Sequence, residues 1–297
     1  MNVTYLTIVA VLGAAVGSFV NATVYRLRHH LPLAWDRSVC DHCHHPLAIS
    51  DLLPTISYLT LRGKCRYCGK KLSLEHPVVE IVTAILFAAT YSQYFPTGVT
   101  VLSLPTVVSF LSQLTFIALL LILFLYDLKY MELPNRIMAV GLGLVLALDI
   151  LKVGLAIGEF ITVTNRLPFG RTLLQDRNFV LGHAFDIGSP YLYGVLAGLV
   201  LAVIFFGIVV WSRERAMGGG DIKLALLLGL ILPWPYLVPA LYIGFILGAV
   251  TGVGLVIAAR KKVHTLIPLA PFLVIGTLSA MFFGSDLFRL LISFKPF

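Results

Sequence analysis

Two acids stand apart in a chain that has few near its apolar runs. Asp127 closes one run, in Leu125-Tyr126-Asp127-Leu128-Lys129, and Asp221 opens another, in Met217-Gly218-Gly219-Gly220-Asp221-Ile222-Lys223. A carboxylate at the edge of a membrane span is costly to bury and is a functional candidate by default. Two carboxylates suit peptide hydrolysis if they meet. Like charge then makes one hold a proton while the other stays ionised. The ionised one draws a proton from water, the water attacks a peptide carbonyl, and the protonated partner stabilises the oxyanion. Such a pair titrates as a unit, so neither role belongs to either residue. The glycines from Gly218 to Gly220 leave room for an extended strand beside Asp221, and Pro134 breaks the chain just after Asp127. Ordinary interfacial acids paired with Lys129 and Lys223 are the competing reading. Asp149 illustrates it, lying three residues from Lys152 as a snorkelling pair would. Glu80 is either an interfacial acid or a site residue.

The four cysteines form two pairs, Cys40-x-x-Cys43 and Cys65-x-x-Cys68, at a separation close to that of zinc ribbons. A knuckle needs a tight turn that points two thiolates at one ion, and Gly69 after Cys68 permits it. In a cytoplasmic segment free thiols stay reduced, which favours metal over disulfides or a redox pair. Four thiolates close a tetrahedral shell, so the zinc is structural, and it supplies folding energy to a segment with little core. His42, His44, His45 and His76 are substitute ligands, but four thiolates already fill the shell. There is no His-Glu-x-x-His motif, and a zinc protease is not expected.

These groups must be positioned by membrane helices. Of 297 residues, 59% are hydrophobic and 12% charged, against roughly 25% charged in soluble domains, which excludes a water-soluble globule. Apolar windows of spanning length fall near residues 5–24, 78–95, 105–126, 137–156, 191–211, 218–232, 236–259 and 266–284. The reading is an all-α polytopic membrane protein of about eight transmembrane helices with a small cytoplasmic zinc-binding domain. Its expected parts are a first transmembrane helix (1–25), the zinc domain (26–77) and a helical membrane peptidase domain (78–297). The first Lys or Arg is Arg26, after the first run, as in an uncleaved anchor with its N-terminus outside. In that arrangement 16 of the 22 basic residues face the cytoplasm, Arg37, Arg215, Arg260, Lys261 and Lys262 among them, while Lys152, Arg166, Arg171, Arg177, Arg289 and Lys295 do not. Both termini are then outside, and the net charge of +8 reflects orientation rather than nucleic-acid binding. Segment 158–190 reads as an outer capping or re-entrant loop without evident chemistry.

Along nearly its whole length the chain resembles the bacterial prepilin peptidases, or type IV leader peptidases, which are GxGD-type aspartyl proteases of the inner membrane. The likeness begins with Gly17-Ser18-Phe19-Val20-Asn21 and Tyr25-Arg26-Leu27. It continues through Ser38, both cysteine pairs, Asp51, Pro54, Ser57-Tyr58-Leu59, Leu61-Arg62-Gly63, Ser73, Pro77 and Glu80. It ends with Asp127, Gly218 to Lys223 and Ile267-Pro268-Leu269-Ala270-Pro271-Phe272.

The resemblance implies Asp127 and Asp221 as catalytic and Cys40, Cys43, Cys65 and Cys68 as zinc ligands, with Gly218, Gly220, Lys223 and Glu80 in support. It implies a prepilin or pseudopilin substrate with a short basic leader, cut between Gly and Phe or Met at the cytoplasmic face of the inner membrane. It also implies N-methylation by S-adenosylmethionine. The residues that bind this donor are not implied, since no Rossmann-type glycine fingerprint occurs. The chain departs from the family at Asn135, where Asp is usual, and at Glu75-His76-Pro77, where Arg-Tyr-Pro is common. Segment 158–190 also looks longer. The alternative from another class is a transporter or channel with a zinc-ribbon regulator, using the two acids for ions.

Overall fold

The computed structural model describes residues 3–32, 38–40, 42–43, 45–96, 103–213, 217–258 and 268–293. Arg37, His44, Arg215, Arg260, Lys261, Lys262, Ile267 and Lys295 lie outside the described residues. Among the described residues the chain is helical, with no strand beyond two isolated bridges. It divides into two compact units.

The first unit comprises residues 1–102 and 113–125. Helix α1 (Val3–Arg28) packs on α3 (Glu75–Tyr94). The contact is backbone against backbone. A Cβ at Gly13 would lie 2.8 Å from Ala84 Cα, and one at Gly17 would lie 2.7 Å from Glu80 Cα. Small residues four apart allow this approach where no hydrophobic force drives helices together. Between α1 and α3 the chain forms two cysteine turns, a 3-10 turn (Ile49–Leu52) and the short α2 (Ile56–Thr60).

The second unit comprises residues 103–112 and 126–297. It holds both ends of α4 (Leu104–Tyr130), then α5 (Asn135–Asn165), α6 (Gly170–Gln175), α7 (Arg177–Ser212), α8 (Gly219–Ile231), α9 (Leu237–Ile257) and α10 (Ala270–Ser293). Helix α7 packs on α8 and α9 on α10. The first of these also crosses at glycine, since a Cβ at Gly198 would sit 2.9 Å from Gly229 Cα.

Helices occupy all eight expected windows. Six of them, α1, α4, α5, α7, α9 and α10, are long and apolar enough to cross a membrane, and the chain is a multi-pass membrane protein. Helix α8, with 13 residues, rises about 20 Å, short of a ~30 Å hydrocarbon core. Helix α3 is diluted by Glu75, His76, Glu80 and Gln93.

Segment 158–190 is not the loop expected. Helix α5 runs on to Asn165, α6 follows, and α7 begins at Arg177, capped by Asp176 accepting from the Asn178 N–H at 2.9 Å. Phe160 stacks on His183 at 4.9 Å, joining the two extensions. At 36 residues, α7 is about 54 Å long.

Candidate active site

The last turn of α4 carries Asp127. Its helix closes on Met131 in the left-handed region, whose N–H donates to the Asp127 carbonyl at 2.8 Å. Pro134 then caps α5. Asp221 sits in the first turn of α8, with its N–H on the Gly218 carbonyl at 3.2 Å. Both carboxylates line one cavity of about 770 Å³, well within the range of ligand sites. Asp127 is buried, and its Oδ2 accepts from the Ala270 N–H at 3.2 Å.

Neither acid pairs with Lys or Arg among the described residues. Lys223 instead donates to Asn135 Oδ1, and both residues line the cavity. The interfacial pairing with Lys129 and Lys223 is therefore not formed. Gly218, Gly219 and Gly220 have negative φ, so no backbone strain demands glycine there. A Cβ at Gly218 or Gly219 would meet nothing within 4 Å, while one at Gly220 would come 3.1 Å from Leu133 Cβ. The missing side chains keep the cavity wall open beside Asp221. Asp149 does pair with Lys152, at 2.6 Å, with both side chains little exposed. Lys152 also lies 5.1 Å from the centre of the Tyr191 ring.

In the first unit the four thiols converge, their sulfurs all within 4.8 Å of one another. Tetrahedral zinc with ~2.3 Å bonds places its sulfurs about 3.8 Å apart, so the cluster fits such an ion. Each pair lies on a tight turn. Cys40 N–H donates to the His45 carbonyl at 3.1 Å, Cys65 N–H to the Lys70 carbonyl at 2.9 Å, and Gly69 N–H to the Cys65 carbonyl at 3.0 Å. Gly69 holds φ at +69°, which glycine adopts without strain. Burial pushes the Cys40 thiol up to about 11. The backbone N–H of Cys68 helps to hold Cys65 down to about 7.

Asp51 ties the second turn to the 3-10 turn. It accepts from Arg66 Nε at 2.7 Å, Tyr67 OH at 3.1 Å and Ala48 N–H at 3.2 Å. Burial pushes its carboxyl up, but these three partners outweigh that and leave it below the usual range.

Glu80 is buried in α3, its Oε2 accepting from both Thr55 N–H (2.5 Å) and Thr55 Oγ (3.1 Å). Sequence reasoning missed Thr55 and the N–H of Ala270. Ala270 lies in the apolar-proline segment already noted, but a backbone donor leaves no mark on residue type.

Two family models match adjacent parts of the chain. One is described as the bacterial peptidase A24 N-terminal domain, over residues 11–94, and the other as the type IV leader peptidase family, over residues 114–253. Curated relatives match end to end. A protein of Bacillus subtilis (strain 168) is 28% identical over 95% of this chain and 96% of its own. One from Aeromonas hydrophila is 28% identical over 96% and 93%. One from Pectobacterium carotovorum is 29% identical over 91% and 90%. All three are named prepilin leader peptidase/N-methyltransferase. None of these matches supports the transporter reading. No solved structure matches the chain. With both family models found in order, and with relatives of the same extent, the chain belongs to the type IV leader peptidase family.

Proposed function

We propose that this protein cuts the leader from type IV prepilin-like precursors with Asp127 and Asp221, and then N-methylates the new terminus. One observation carries the proteolytic half. Two aspartates from distant helices line a single 770 Å³ cavity, and neither is ion-paired among the described residues. The ionised carboxylate takes a proton from water as the water attacks the scissile carbonyl. The protonated partner donates to the oxyanion, and the proton then passes to the leaving amine. Ala270 N–H orients Asp127. Gly218 and Gly220 leave the wall open for an extended chain, and Lys223 holds Asn135 at the rim.

Three parts make up the working molecule: the first transmembrane helix (1–25), the zinc domain (26–77) and the membrane peptidase domain (78–297). Zinc on Cys40, Cys43, Cys65 and Cys68 is structural. It folds the loop segment, because four thiolates leave no open position for a reacting group. S-adenosylmethionine supplies the methyl group. The excess of basic residues in the alternate loops supports a cavity at the cytoplasmic face of the inner membrane with both termini outside. There a prepilin's basic leader meets its hydrophobic helix.

The test is cleavage of a purified prepilin in membranes, read by mass spectrometry with and without S-adenosylmethionine. The wild type is expected to release the leader and add a methyl group. Asp127→Asn and Asp221→Asn are each expected to slow release by ~10³-fold or more while still accumulating. Robust cleavage by either variant sinks the dyad.

A further inference from the structure

The first unit holds another cavity, of about 140 Å³, which the dyad does not use. Cys40 and Cys65 of the thiol cluster form part of its wall, next to the paired α1 and α3. Leu47, Leu52, Leu61 and Leu72 give it apolar walls, while Ser18, His76 and Glu80 add polar groups.

Glu80 is the unbalanced member. It is only 7% exposed, and a buried carboxylate without a cation is costly. Its Oε2 takes both bonds from Thr55, and its Oε1 accepts none among the described residues. The other acid in the wall, Asp51, is already held by Arg66. No Lys or Arg pairs with Glu80 among the described residues.

Thr55 itself sits at φ +59°, where a β-branched residue is a genuine outlier. Strain of this kind persists where surroundings impose it, and it clusters at ligand sites. Here the strained residue donates both its N–H and its hydroxyl to the Glu80 carboxylate. The turn and the acid thus form a built feature that leaves one carboxylate oxygen unpartnered in a residue lining the cavity.

Size limits the ligand. About 150 Å³ accommodates a benzene ring, and drug-sized ligands need roughly 300 Å³ or more. The cavity, at about 140 Å³, therefore takes one apolar side chain, with the α-ammonium left at its wall, and it is too small for a nucleoside-bearing sulfonium.

We propose that this cavity is the methyl-acceptor site, binding the free N-terminal residue of the cut chain with its apolar side chain among the leucines and its α-ammonium on Glu80 Oε1. The inference rests on the methyl-transfer half of the function proposed above. The α-ammonium gives one proton to the Glu80 carboxylate. The freed nitrogen lone pair forms the N–C bond to the methyl carbon of the sulfonium donor. The C–S bond breaks, its electron pair stays on sulfur, and a neutral thioether leaves. The product is an N-methylammonium, and Glu80 returns its proton to water.

The test uses the full chain in detergent and a short apolar peptide beginning with Phe, its amine either free or acetylated. The wild type is expected to bind the free-amine peptide about tenfold more tightly or better, as a charged hydrogen bond in a buried site provides. Glu80→Gln is expected to erase that preference. Ser57→Phe, which fills the cavity and leaves the carboxylate in place, is expected to weaken the free-amine peptide by a similar factor. Metal content after gel filtration shows that each variant remains folded. If the wild type methylates the free-amine peptide yet binds both peptides equally, the acceptor site lies elsewhere and the proposal fails alone. If Glu80→Gln loses S-adenosylmethionine binding while the peptide preference survives, the cavity belongs to the donor and the proposal is overturned. If the wild type transfers no methyl group, the methyl-transfer reading falls and takes the acceptor site with it.

Discussion

The backbone N–H of Ala270, the first residue of α10, donates to Asp127 Oδ2 at 3.2 Å across a sequence separation of 143. A helix start thereby fixes the direction of a carboxylate on another helix. Ala270→Pro isolates this contact, because proline is tolerated in the first turn of a helix while lacking the donor. Hydrogen bonds to charged groups contribute about 1.5–3 kcal/mol, so kcat for leader cleavage should fall about tenfold or more with the protein still accumulating. Unchanged kcat would show that the bond does not orient the acid.

Gly229 lies about two turns along α8 from Asp221, and a Cβ there would come 2.6 Å from the Gly194 carbonyl oxygen. Gly229→Leu must push α7 and α8 apart, and α8 carries Asp221. We expect cleavage to drop by ~10²-fold, since a misplacement of about 1 Å costs that much. Full activity in a prepilin assay would mean that the crossing and the acid are mechanically independent.

The zinc turns can be tested by metal analysis and by chelation. Purified protein should carry zinc, and Cys43→Ser or Cys68→Ser should lower its content sharply. Stripping the metal removes folding energy from the segment around residues 38–72, so methylation should suffer more than hydrolysis. Metal-free protein with intact methylation contradicts this.

Asp51 yields a pH prediction. Its folded carboxyl lies below the ordinary range, so its stabilisation is present above the unfolded value of about 3.9 and fades as pH falls through the folded value. Asp51→Asn should destabilise the turns by about 1.5–3 kcal/mol at neutral pH. The gap to wild type should close below about pH 4. Limited proteolysis between Val39 and Leu72 across that range measures it. A gap that widens in acid reverses the sign and refutes the assignment.

Local chemistry was legible from residue order and distant chemistry was not. The Cys-x-x-Cys pairs declare themselves because each knuckle closes within a few residues, and the sulfurs do meet within 4.8 Å. The windows around α1, α4, α9 and α10 were readable because lipid demands unbroken apolar length. That same criterion goes blind at Gly158, where α5 leaves the apolar window and continues on ordinary helix propensity to Asn165. Thr55 was invisible for another reason. A threonine at positive φ contradicts local preference, and its bond to Glu80, 25 positions away, leaves no mark on nearby residue types. Asn135 read as a departure from the family, and its bond from Lys223 forms only because folding joins residues 88 positions apart.

The overlong α5 and α7 have a practical outcome. Helix α5 leaves the aspartate cavity at Asn135 and, with 31 residues, ends about 46 Å away, farther than a ~30 Å hydrocarbon layer is thick. Fluorophores or epitopes attached near Asn165 therefore emerge on the leaflet opposite the aspartate cavity. The enzyme can be tethered, counted or oriented on a surface by that end while the aspartate cavity stays unobstructed.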